Sequence, residues 1–150
     1  MRRLTRTLLP SLTILALLAL LGASPALAGG PQLAGAWEAV ASFDGGGAAP
    51  FLATFDKDGT WTSSGASSSA STAHGAWEKS GPRSYSTKSV IFFYDANGNL
   101  SLRGESRSEI EVSQDGNSYS GTFEATITLL DGTVVATNSG TEAGSRIQVD

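Results

Sequence analysis

The chain has 150 residues, with ten Lys and Arg against fourteen Asp and Glu, one His, no Cys and a net charge of −4. An acidic chain without a basic stripe repels phosphate backbones, which makes nucleic acid a poor candidate partner. With no cysteine there is no disulfide framework, so closure of a sheet has to supply the stability.

Arg2, Arg3 and Arg6 precede an apolar run from Leu8 to Leu21, and Ala26-Leu27-Ala28 has the small-x-small form of a signal-peptidase site. That order predicts a secretory signal over residues 1–28. The apolar run is shorter than the ~20 residues that span a bilayer, which argues against a permanent anchor. Cleavage after Ala28 takes 28 of the 150 residues and three of the ten basic ones, leaving 122 residues with a net charge of −7. The expectation is one secreted or periplasmic domain, 29–150, without stable membrane association.

After a Gly-Gly-Pro lead, Gly35 to Phe43 alternates as a first strand, with Trp37, Ala39, Ala41 and Phe43 on one face. Asp44 to Pro50 reads as a loop and Phe51 to Phe55 as a second strand. A type I turn over Asp56 to Gly59 sets Phe55 opposite Trp61. The third strand starts at Thr60 and fades into a Ser, Ala and Gly tract from Ser63 to Thr72. That tract has little apolar area to hold it, and reads as a spacer or, functionally, as a flap over a barrel mouth. Ala73 to Lys79 and Ser84 to Tyr94 follow as strands, the latter ending apolar on both faces.

Leu100 to Leu130 carries the longest alternation. Leu100, Leu102, Gly104, Ser106, Ser108, Ile110 and Val112 share one parity, and a charged Arg/Glu series shares the other. A type I′ turn at Asp115-Gly116 places Val112 opposite Tyr119, Ser108 opposite Phe123 and Ser106 opposite Ala125. The turn at Asp131-Gly132 places Val134, Ala136, Asn138 and Gly140 on the inner face, and Ser145 to Val149 reads as a last short strand. Helical periodicity is absent after the leader. The predicted fold is all-β, a single antiparallel up-and-down barrel of eight or nine strands.

Gly35-x-Trp37 opening the first strand of a small exported barrel resembles the signature of the calycin superfamily, the lipocalins and their relatives. The resemblance implies that Trp37 sits at the closed end of an eight-stranded barrel with a late Arg packed over it, and Arg146 is placed to be that residue. The second lipocalin motif and a C-terminal helix are missing.

Chemistry is sparse. His74, the one histidine, has no nucleophile motif such as Gly-x-Ser-x-Gly to serve, and reads as a structural hydrogen-bonder. One His and no Cys leave a zinc site short of ligands. Asp95, Asn97 and Asn99 imitate a calcium loop, but Leu100 and Ser106 replace its essential Gly and Glu, so the segment reads as a turn. No metal or other cofactor is expected.

The leading expectation is an exported, non-catalytic barrel binding a small apolar ligand in its lumen. The residues expected at the ligand are Trp61, Trp77, Tyr94, Ser106, Ser108, Phe123 and Asn138. The alternatives are a calycin-type protease inhibitor using Gly29 to Leu33, or a barrel cyclase or isomerase using His74 and Asn138 without a triad. The sequence does not set the oligomeric state.

Overall fold

Strict alternation broken by Asp-Gly turns leaves the chain one economical option, a sheet that winds strand by strand until its edges meet. The computed structural model describes residues 32–149. The expected signal peptide lies outside them. Eight strands follow in order: β1 (Gly35–Phe43), β2 (Ala48–Phe55), β3 (Thr60–Gly65), β4 (Ala73–Lys79), β5 (Ser84–Tyr94), β6 (Leu100–Val112), β7 (Ser118–Leu129) and β8 (Val134–Arg146). Each pairs antiparallel with the next, and β1 pairs with β8 to close the barrel. The architecture is all-β and compatible with a calycin-like barrel. Among the described residues there is no ninth strand: Ser145 and Arg146 finish β8, paired with Glu38 and Trp37.

The predicted pairs Phe55–Trp61, Val112–Tyr119, Ser108–Phe123 and Ser106–Ala125 are all present. The turn that sets the last three is not type I′, because that form needs a left-handed Asp115 and Gly116 alone has positive φ, 75°. Gly116 N–H donates instead to Ser113 O at 3.0 Å, and a four-residue loop with the same centre preserves the register. A second difference lies in β8. The register shifts between Ile127 and Thr128, so Val134 pairs with Thr128 and leaves the inner row. The Ser-rich tract is also tied down more than its composition suggests. Ser71 N–H donates to Phe92 O at 2.9 Å, and Tyr94 N–H donates to Ser69 O at 2.8 Å.

Strand direction sorts the interior into two halves. At the end where β1 begins and β8 finishes, Leu33, Trp37, Phe55, Trp61, Tyr85, Ile110, Val112 and Tyr119 are buried together. Trp37 and Tyr119 meet edge to face at 5.1 Å, and Phe55 stacks on Trp61 at 5.2 Å. Arg146 closes this end as the resemblance implied, its guanidinium carbon 4.2 Å from the Trp37 ring centroid. It donates to the carbonyls of Gly116 (2.8 Å), Ala34 (2.8 Å) and Gln32 (2.6 Å). Trp37 Nε1 donates to Leu33 O at 2.8 Å, which fixes the entering chain across the barrel floor.

Gly35-Ala36-Trp37-Glu38 recurs 40 residues on as Gly75-Ala76-Trp77-Glu78, and the structure gives this a physical reason. A side chain at Gly35 would collide with the Arg146 guanidinium, and one at Gly75 with the Trp61 indole nitrogen. Both glycines clear a path for a long side chain crossing the strand, so the echo is two similar clearances rather than a repeat.

Outside, the Arg/Glu face of β6 is a solvated ion-pair cluster. Glu105 takes Lys88 at 2.8 Å, Arg103 at 3.1 Å and Arg107 at 3.4 Å, and the hydrogen bonds from Lys88 and Arg103 hold its carboxyl down at about 2.

Candidate functional site

The other half of the lumen is not filled. Between the end of β1, the ends of β5 and β7 and the starts of β6 and β8 lies a cavity of about 410 Å³. Phe43, Ile91, Phe93, Leu102, Ala125 and Ile127 give it an apolar wall, interrupted by Ser106 and Asn138. Period-2 alternation delivers all of these, since each sits on the inner parity of its strand, whereas Glu105, which also borders the cavity, has the outer parity. Ser106 is satisfied within the wall by the Ser89 hydroxyl at 2.9 Å. Asn138 is exposed at the rim, where its amide faces whatever enters. Above the cavity the lip is greasy. Leu100, Leu129, Leu130, Val134 and Val135 stand 40–59 % exposed on the two hairpins that border the mouth.

The small residues of β6 do not simply leave room. A side chain at Gly104 would run into Ile91, Phe93 and Ile127, which already lie over it, so Gly104 is the shelf on which the cavity wall rests.

The seven expected site residues divide by depth. Ser106 and Asn138 line the cavity. Phe123, 9 % exposed, meets Phe43 edge to face at 5.4 Å, and the pair forms the cavity's lower boundary. Ser108 lies beneath that pair, buried. Trp61 and Trp77 have the inner parity but belong to the plug. Trp61 donates to Lys88 O at 3.2 Å, and Trp77 donates to Asp56 O and Thr60 O at 2.9 and 3.0 Å while packing on Phe55 and Tyr85. Tyr94 follows inward-facing Phe93 and so has the outer parity of β5, and it borders a surface cleft with Ser68, Ser69 and Asp95.

His74 is exposed on the outer face of β4, opposite Val90, away from Asn138 and the lumen. Asp95 spends its carboxylate on its own turn, accepting from the N–H groups of Asn97 (2.8 Å) and Asn99 (2.9 Å). Those bonds pull its pKa down. No group of His, Cys, Asp and Glu among the described residues could hold a metal ion. Of the segment Gly29 to Leu33, Leu33 is fully buried and Gln32 O is held by Arg146. Leu33 belongs to the plug, Gln32 is exposed at its edge, and 29–31 lie outside the described residues.

One functional candidate escaped the sequence reading. Glu142 on β8 points inward and is 9 % exposed. Its inner neighbours across the two seams are Ala41 and Gly121. Burial pushes its carboxyl pKa up, opposed by a hydrogen bond with Ser108. Tyr119, just below, is pushed up too, chiefly by burial and then by the charge of Glu142.

No family model matches the chain, and no curated protein matches it in sequence.

Proposed function

We propose that this chain is an exported, non-catalytic barrel of calycin type that holds a small apolar ligand in the mouth half of its lumen. The supporting observation is the 410 Å³ cavity walled by Phe43, Ile91, Phe93, Leu102 and Ile127. Its volume lies in the range of small-molecule sites, and a few polar groups in an apolar wall are what such sites use to orient a guest. Asn138 is that group here. The apolar lip gives the guest a continuous path from solvent. Membership of the calycin superfamily rests on closure of eight strands and on Arg146 lying over Trp37. Export rests on the charged, apolar and small-residue order of residues 1–28.

The test is titration of the purified protein with an environment-sensitive apolar dye, compared with Ala125→Trp. Ala125 lies between Ser106 and Asn138 in register, so an indole there fills the cavity. Saturable one-to-one binding by the wild type, abolished in the variant at unchanged Tm, is the expected outcome. A wild type that binds no apolar probe refutes the reading.

A further inference from the structure

The lumen carries a polar layer that the apolar-ligand reading does not use. Going down β8 from the mouth, the inner positions are Asn138, Gly140, Glu142 and Gly144. The Phe123 ring covers Gly140 and the Tyr119 ring covers Gly144. Glu142 therefore sits between two aromatic layers, four residues and about 13 Å further along the strand than the amide that faces the cavity. On either side within its own layer stand Ala41 and Gly121, which add almost no side chain.

Among the described residues, two buried side-chain polar atoms find no hydrogen-bond partner in the protein, and they are Glu142 Oε1 and the Tyr119 hydroxyl. Native interiors leave few such atoms, because each costs desolvation without a return bond. Here both lie beneath the same cavity, within electrostatic reach of one another.

We infer that this layer is a second subsite, beneath the Phe43–Phe123 pair, that receives the ammonium head of an aliphatic amine whose chain occupies the mouth cavity. This rests on the proposed apolar-ligand function and names the ligand class. A carboxylate oxygen and a phenol oxygen are both acceptors, and an ammonium group offers three donors and no acceptor. The Phe43, Phe123 and Tyr119 rings give the cation aromatic faces and edges to pass and rest against. Pairing with a cation is also what makes a buried carboxylate tolerable. The chain's net charge of −4 draws a cationic amphiphile toward the protein and repels a fatty acid. Ser108, bonded to Glu142, orients the carboxyl from the β6 side.

The experiment is calorimetric titration of the purified protein with decylamine, 1-decanol and decanoate at pH 7, each below its aggregation concentration, on wild type and Glu142→Gln. In the wild type the amine binds at least tenfold tighter than the alcohol, and decanoate binds weakest. In Glu142→Gln the amine-to-alcohol ratio falls to about one. As a check that does not need the variant, carbon NMR of the wild type should show the Glu142 carboxyl resonance moved by decylamine and unmoved by decanol. Equal binding of amine and alcohol, or a preference for decanoate, overturns the subsite and leaves the apolar-ligand function standing. Failure of all three probes to bind overturns both.

Discussion

Replacing Arg146 by Ala tests whether the closed end is clamped by this one side chain or by its aromatic plug alone. The guanidinium makes three hydrogen bonds, to the carbonyls of Gly116, Ala34 and Gln32, and lies 4.2 Å from the Trp37 centroid. The Gln32 bond is exposed, so water replaces it at little loss. The Gly116 and Ala34 bonds are partly buried and contribute about 1 kcal/mol each. The cation–indole contact adds about 1 kcal/mol. The expected loss is then about 3 kcal/mol, and at about 4 °C per kcal/mol for a domain of this size Tm falls by about 12 °C. Urea unfolding with unchanged m-value measures it. Arg146→Lys keeps the charge but cannot fork to two carbonyls, and should recover less than half of the loss. Hydrogen exchange localises the effect: the Trp37 indole N–H, bonded to Leu33 O, should lose protection first. A loss under about 1 kcal/mol, or an indole N–H as protected as in the wild type, would show that the plug holds without its clamp.

Two pH-dependent predictions follow from the carboxylates, with opposite signs. Glu142 has a raised pKa when folded, so its contribution is complete below the unfolded value near 4.5 and is lost as pH rises through the folded value. Glu142→Gln should therefore be the more stable form at pH 7, with the advantage vanishing below about pH 4, as read by urea midpoints across pH. A Glu142→Gln variant that is less stable at pH 7 would show that the carboxylate is already paired. Glu105 is held down at about 2 by hydrogen bonds from Lys88 and Arg103, so its contribution exists above the unfolded value and disappears as pH falls toward 2. Glu105→Gln should fall below the wild type at pH 7 and converge with it near pH 2. Carbon NMR titration of Glu105 giving an ordinary glutamate midpoint would remove the basis for this.

What the sequence reveals and what it hides follow from one geometric fact. Alternation distinguishes inside from outside, but carries no information about height along the barrel axis. Ser106 and Asn138 are recognisable as cavity residues because their parity and their distance from a turn agree. Trp61 and Trp77 have the right parity and the wrong height, since the stagger of the strands carries them down into the plug. Tyr94 fails on parity itself: it follows inward-facing Phe93, so alternation alone turns it to the outer face. Val134 fails for another reason: the register slips by one residue at Thr128 and turns it out of the inner row. Irregularities of this kind leave no compositional trace. Glu142 was within reach, because the parity that turns Asn138 and Gly140 inward also turns Glu142 inward, but an acidic residue in a strand reads first as surface.

The layering of β8 explains why a carboxylate can be kept inside at all. Alternate inner positions of the strand are glycine, and the rings of Phe123 and Tyr119 from β7 occupy the room this leaves. The neighbouring strand thus supplies the bulk, and β8 is free to carry Asn138 and Glu142 between the rings. The closed end, with four aromatic contacts and the Arg146 clamp, stabilises the barrel enough to tolerate a group that disfavours folding at neutral pH. A carboxyl selected for stability would have both oxygens satisfied, yet Oε1 finds no partner and the Tyr119 hydroxyl below it finds none either. Local rules tend to be broken this way at functional sites, and here the break lies below the apolar cavity in the mouth half of the lumen.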